Sequence, residues 1–196
     1  MEQRTVVFLG PQGCGKGTQV NLLKEFLKKN DSSRPIVHFE AGEALRTFGR
    51  EEGYTQDMVR ASMARGELQP DFVTTHLMSE LLVTSMKDNE HLIFDGFPRT
   101  REQEAIFNTA IKFYRRKSTT VFVIEISDEV AIERLLKRAR YDDTKDGIRN
   151  RLAWTRAQIA PVIEWFKTAE GYQLFDINGE RSIEAIHADI LAKLNL

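Results

Sequence analysis

A single cysteine, Cys14, is all that the 196 residues carry. That excludes an intramolecular disulfide and a cysteine zinc site, and it fits a reducing compartment. Long apolar runs are missing too, so no stretch is long enough to span a bilayer. The N-terminal MEQRT lacks the apolar core of a signal segment. Nor is there an excess of either charge: 28 basic residues stand against 29 acidic ones, a formal net charge of −1. Without such an excess, neither nucleic acid nor an anionic membrane attracts the chain as a polyelectrolyte. Any basic site must be a local cluster. Histidines 38, 76, 91 and 187 show no metal-ligand spacing. Repeats and low-complexity linkers are absent. The expectation is a cytoplasmic protein with no nucleic-acid or membrane partner, as a monomer or small homo-oligomer.

The length suits one domain, or one domain with a small insertion, and a core that needs no covalent staples. Short apolar runs rich in β-branched residues predict strands at 5–9 (TVVFL), 36–39 (IVHF), 91–95 (HLIFD), 120–126 (TVFVIEI) and 172–177 (YQLFDI). Helical patterns fall at 18–30, 72–86, 101–114, 129–138, 148–167 and 183–194. Strands alternating with helices predict a five-stranded parallel sheet covered on both faces. The stretch from about 40 to 70 has helices but no strand and reads as an insertion off one sheet edge. In KFYRRK (112–117) a helix C-terminus places cations against its dipole, and a basic patch is the competing reading. Trp154 and Trp165 fall on one helical pattern and read as packing residues.

The segment GPQGCGKGT (10–18) follows the first strand. Its glycines let successive N–H groups converge on one concavity, and the helix after it adds its N-terminal dipole. Lys16 can reach terminal phosphates. Gly17 occupies the place where a P-loop normally carries Ser or Thr, so the hydroxyl of Thr18 comes one residue late. Cys14 fits the tight turn as a small residue, with a redox-sensitive thiol as the alternative. In FDGFPRT (94–100), Asp95 closes an apolar strand, the position from which a carboxylate orients waters around Mg²⁺. Arg99 follows on the loop, where a guanidinium can grip phosphate at two points. In RLLKRARYDD (134–143), Arg134 and Arg138 lie four apart on one helix face, with Arg140 next and Arg151 further down the following helix.

These segments together resemble the nucleoside monophosphate kinases, and adenylate kinases above all, over essentially the whole chain. The GxxGxGKGTQ loop is that family's. The resemblance implies an α/β P-loop three-layer fold. Core segments would be 1–39, 71–138 and 144–196, with a helical NMP-binding insertion at 40–70 and a minimal lid turn at 139–143. It implies reversible transfer of a phosphoryl group from ATP to AMP, with Mg²⁺ and no zinc. Lys16, Arg99, Arg138, Arg140 and Arg151 would carry the transfer. ATP would lie against Gly13, Cys14, Gly15, Lys16, Gly17, Thr18, Arg134, Arg138 and, in the weaker match FDINGERS (175–182), Arg181. Asp95 would hold Mg²⁺ through water.

For the acceptor, EAGEALR (40–46) resembles the family's S-T-G-D-x-L-R, with Arg46 as a phosphate clamp and two departures, Ala41 and Glu43. RGELQPD (65–71) resembles the stretch that passes over the acceptor base, where Gln69 replaces the usual valine. The implied AMP contacts are Ala41, Arg46, Glu67, Leu68, Gln69, Gly96, Phe97, Pro98, Arg99, Gln103, Arg140 and Arg151. Gln103 stands where adenylate kinases carry the glutamine that reads adenine, whereas Ala41 is what UMP/CMP kinases carry. AMP is the favoured acceptor; a UMP/CMP kinase and a non-catalytic nucleotide-binding regulatory module are the alternatives. Only Ala139 separates Arg138 from Arg140, so a tight turn between two helices is expected in place of a lid domain.

Overall fold

The computed structural model describes residues 1–138 and 145–196. The turn expected at 139–143, Arg140 and the side chain of Arg138 lie outside the described residues.

Five strands form one sheet: β1 (Thr5–Leu9), β2 (Ile36–Glu40), β3 (His91–Asp95), β4 (Thr119–Glu125) and β5 (Tyr172–Asn178). All pairs are parallel, in the order β2-β3-β1-β4-β5. The period-two geometry of a strand splits β1 between two cores. Val6 and Phe8 face one, with Val20 and Leu23 of α1 (Lys16–Asn30), Leu135 of α6 (Asp128–Arg138) and Ile190 of α8 (Ile183–Lys193). Val7 and Leu9 face the other, with Met78 of α4 (Asp71–Ser85), Phe107 of α5 (Arg101–Phe113) and Phe166 of α7 (Lys145–Thr168). This is why the central strands read as unbroken apolar runs: both faces are covered. Trp165 packs edge-on against Phe166 and Tyr172 at 5.2 and 5.0 Å.

From β1 the chain crosses to the edge strand β2, returns to β3 between the two, and then continues on the other side of β1 through β4 to β5. The reversal opens a crevice beyond the carboxyl end of β1, where ligands of such sheets bind. Between β2 and α4, α2 (Ala41–Phe48) and α3 (Tyr54–Ala64) close a small core of Leu45, Val59 and Val73. Among the described residues no helix is long and apolar enough to cross a membrane.

One expected detail differs. In KFYRRK, Arg116 turns inward and is only 8% exposed. It donates to Thr5 Oγ1 at 2.8 Å and to the carbonyls of Arg4 and Glu90 at 2.9 Å each, tying together the N-terminal ends of β1 and β3. A buried guanidinium needs such a full set of acceptors; sequence spacing does not reveal them.

Candidate active site

The loop after β1 works because of close backbone approach. Gly10 has φ of +136°, and a Cβ there would lie 2.2 Å from the carbonyl oxygen of Ile124 on β4. Helix α1 starts at Lys16, two residues earlier than its apolar pattern suggests, so its first N–H groups and dipole face the crevice. The Lys16 ammonium folds back over the loop and donates to the carbonyls of Gly10 (2.8 Å) and Pro11 (2.9 Å). Cys14 is 1% exposed and its Sγ lies 3.5 Å from Lys16 Nζ.

Asp95, at the end of β3, is 7% exposed. Burial pushes its carboxyl pKa up; Lys16 and Arg99 oppose that, and Glu40 adds to it. Gly17 is the P-loop residue beside it: a Cβ there would sit 3.7 Å from Asp95 Oδ2.

Arg99 is fixed by its own turn, with Nε donating to Gly96 O at 2.7 Å. Gly96 has φ of +69°, and a Cβ there would lie 2.7 Å from the Arg99 guanidinium. Arg46 pairs with Glu43 at 2.7 Å and Glu40 at 3.3 Å. Arg134 donates to Gly179 O (3.0 Å) and Gly13 O (3.4 Å), joining the phosphate loop to the loop after β5. Arg181 pairs with Asp189 at 2.5 Å.

Two adjoining clefts result. The larger, about 650 Å³, is walled by residues 12–19 of the loop and by Glu40, Arg46, Asp95, Arg134 and Arg181. The smaller, about 130 Å³, is walled by Ala41, Glu67, Leu68, Gln69, Gln103 and Trp154 among others. Gln12, Gly42, Arg99 and Arg151 line both. Two guanidiniums therefore stand where the clefts meet. Arg151 is held in place by α7 and is 9% exposed.

The expected residues divide accordingly. Gly13 to Thr18, Arg134 and Arg181 share the larger cleft, as does Arg46, which was expected on the acceptor side. Gly96, Phe97 and Pro98 line neither cleft; they form the turn behind Arg99, and Phe97 packs edge-on against Phe39 in the core at 5.4 Å. The side chain of Gln69 is 5% exposed and exchanges hydrogen bonds with the Ser62 hydroxyl at 2.8 and 3.0 Å.

Three residues escaped sequence reasoning. Trp154, read as packing, is a half-buried wall of the smaller cleft. Asp71 bonds to Gln103 at 2.8 Å. Glu40 pairs in register with Asp95, and with His38 the two put ligand atoms within 4.8 Å of one another. The signal for Glu40 was available, since a carboxylate closes β2 as one closes β3. Lys24 Nζ lies 3.3 Å from His38 Nδ1.

A parallel sheet with its glycine loop at the switch point, two clefts and shared arginines define a P-loop nucleotide-binding protein. The family model described as adenylate kinase matches residues 8–171. Adenylate kinase of Prochlorococcus marinus is 33% identical over 192 residues, covering 98% of this chain and 99% of its own. Adenylate kinase 1 of a Nostoc species is 33% identical over 189 residues, with 96% and 97% covered. The adenylate kinase of Corynebacterium diphtheriae reaches 35% over 191 residues, with 96% and 98% covered. The chain belongs to the adenylate kinase family.

Proposed function

We propose that the protein transfers the terminal phosphoryl group of ATP to AMP, reversibly, giving two ADP. The observation that carries this reading is the pair of clefts meeting at Arg99 and Arg151. A transfer between two phosphate chains needs little covalent chemistry. It needs both chains positioned end to end and positive charge around the migrating metaphosphate-like group.

In this reading the larger cleft takes ATP. The loop N–H groups and Lys16 hold its phosphates, and Arg134 and Arg181 flank them. The smaller cleft takes AMP. Arg99 clamps its phosphate where the clefts meet, Arg46 reaches that phosphate from the larger cleft, and Gln69, Gln103 and Trp154 surround its nucleoside. Arg151 reaches both, and Arg138 and Arg140 join it by resemblance. Segment 40–70 is the acceptor-binding insertion. The acceptor phosphate oxygen attacks the γ-phosphorus, the bond to the β–γ bridging oxygen breaks, and the arginines stay bonded to oxygens that change charge.

Mg²⁺ fits the donor set. Asp95 and Glu40 offer hard carboxylate oxygens in register, suited to a cation that keeps its waters. They would hold the hydrated ion, which neutralises charge on the β- and γ-phosphates when bound.

The test is a coupled assay of ADP formation with ATP and, in turn, AMP, CMP, UMP and GMP. AMP is expected to be used best. Equal or better use of CMP or UMP moves the protein to the pyrimidine kinases. Nucleotide binding without transfer makes it a regulatory module.

A further inference from the structure

The first residue of α4, Asp71, reaches across to the start of α5. Its Oδ1 accepts from Thr100 Oγ1 at 3.0 Å and from Gln103 Nε2 at 2.8 Å. Gln103 Oε1 accepts from the backbone N–H of Arg99 at 2.9 Å. The Gln103 backbone N–H donates to Thr100 Oγ1 at 3.2 Å, which fits a hydroxyl that donates onward to Asp71. Gln103 is 2% exposed, so this ring of bonds is shielded from competing water.

The chemistry of the partners decides which way the Gln103 amide faces. A carboxylate only accepts and a backbone N–H only donates. Reversing the amide would set its oxygen against Asp71 and its NH₂ against the Arg99 N–H. Both bonds would be lost and replaced by repulsion in a buried place, so the amide is locked. Each amide atom also keeps one valence: one lone pair on Oε1 and one N–H on Nε2. Gln103 lines the smaller cleft, and it offers the cleft an acceptor and a donor in an order it cannot exchange.

Adenine presents a donor at its 6-amino group and an acceptor at N1. Hypoxanthine presents the reverse, an acceptor at O6 and a donor at N1, with nearly the same shape. A freely turning glutamine would serve both bases by flipping. A locked one serves only one. Resting on AMP as acceptor, we propose that Asp71 is a positioning residue: it fixes the Gln103 amide and so makes the cleft select 6-aminopurine over 6-oxopurine nucleotides.

The experiment compares kcat/KM for AMP and for IMP, with saturating ATP, in the parent, Asp71→Asn and Asp71→Ala. Tm is recorded for each. In Asp71→Asn the new side chain has the same shape but can turn its own amide to offer a donor, so the lock against Gln103 reversal is relaxed. The AMP-to-IMP ratio is expected to fall by about tenfold or more in Asp71→Asn, the scale of a mispaired buried polar group. The fall should come from KM for the monophosphate, with KM for ATP unchanged. Asp71→Ala should raise KM for AMP as well, because the amide then has one anchor. A carboxylate that serves only the start of α4 would lower Tm and leave the ratio alone. An unchanged ratio in both variants overturns the proposal. A parent that does not phosphorylate AMP overturns the reading beneath it as well.

Discussion

Glu40 and Asp95 are register partners across β2 and β3, so two carboxylates leave the sheet side by side at the larger cleft. Glu40 is also shared with Arg46, whereas Asp95 is buried against the phosphate loop. On the proposed reading, their roles around a hydrated Mg²⁺ are expected to be unequal. Asp95→Asn is expected to lower activity by about 10–100-fold and raise the Mg²⁺ concentration needed for half-maximal rate. Glu40→Gln should shift that concentration only a few-fold, since outer contacts to a hydrated ion are partly replaceable. A magnesium titration at fixed ATP checks both, and a larger effect at Glu40 would reverse the ranking.

Lys16→Met and Arg99→Ala should each reduce kcat by about 10²–10³, as removal of one preorganised charge at a transition state does. Both side chains bond to nearby backbone carbonyls rather than to the core, so circular dichroism should stay native. Near-parental turnover in either folded variant places the transfer elsewhere.

The two tryptophans allow a direct test of the smaller cleft. Trp165 is packed among Phe166 and Tyr172, while Trp154 forms a cleft wall. Added AMP should change the intrinsic fluorescence of the parent and leave that of Trp154→Phe nearly unchanged. Trp154→Leu should raise KM for AMP by about tenfold, near the lower end of what aromatic contact with a base contributes. A full fluorescence response in Trp154→Phe would remove the indole from the acceptor site.

Far from the clefts, His91 makes stability pH-dependent. Its Nδ1 accepts the Arg4 N–H at 3.1 Å and its Nε2 faces Asp31 at 3.3 Å. Burial pushes its pKa from 6.5 down to about 4; Asp31 opposes this, and Arg34 and Arg116 reinforce it. The fold thus keeps the ring neutral while the unfolded chain binds a proton below 6.5. The stabilisation is complete above pH 6.5 and is lost as pH falls toward 4, about 3 kcal/mol at most. His38, also held at about 4 by burial and Lys24, adds a second proton to the same window. His91→Gln, which can still bond both neighbours, should reduce the slope of stability against pH by about one proton. Urea unfolding between pH 4 and 7 measures it, and an unchanged slope would exclude His91 as the source.

Much of this was legible without coordinates, because local patterns have local causes. The strand runs are apolar because both sheet faces are covered, and the glycine loop carries its geometry in its own residues. The boundaries moved where backbone geometry outweighed hydrophobic pattern: α1 begins at Lys16, inside the glycine run, ahead of any apolar repeat. Arg116 and Trp154 lie where local spacing does not place them, for a common reason. Each belongs to an ordinary-looking helical or basic stretch, and each acquires its role from elements distant in the chain.

The alternation of strand and helix, the phosphate loop and the spacing of the arginines are written locally, since period, glycine and charge are properties of neighbouring residues. Which of them meet depends on the fold. Parallel pairing put Glu40 beside Asp95, and the packing of α7 brought Arg151 and Trp154 to the clefts. The approach of α4 to α5 set Asp71 against Gln103. Those contacts depend on register and helix packing, which follow from burial summed over the whole chain and are written in no single segment of it.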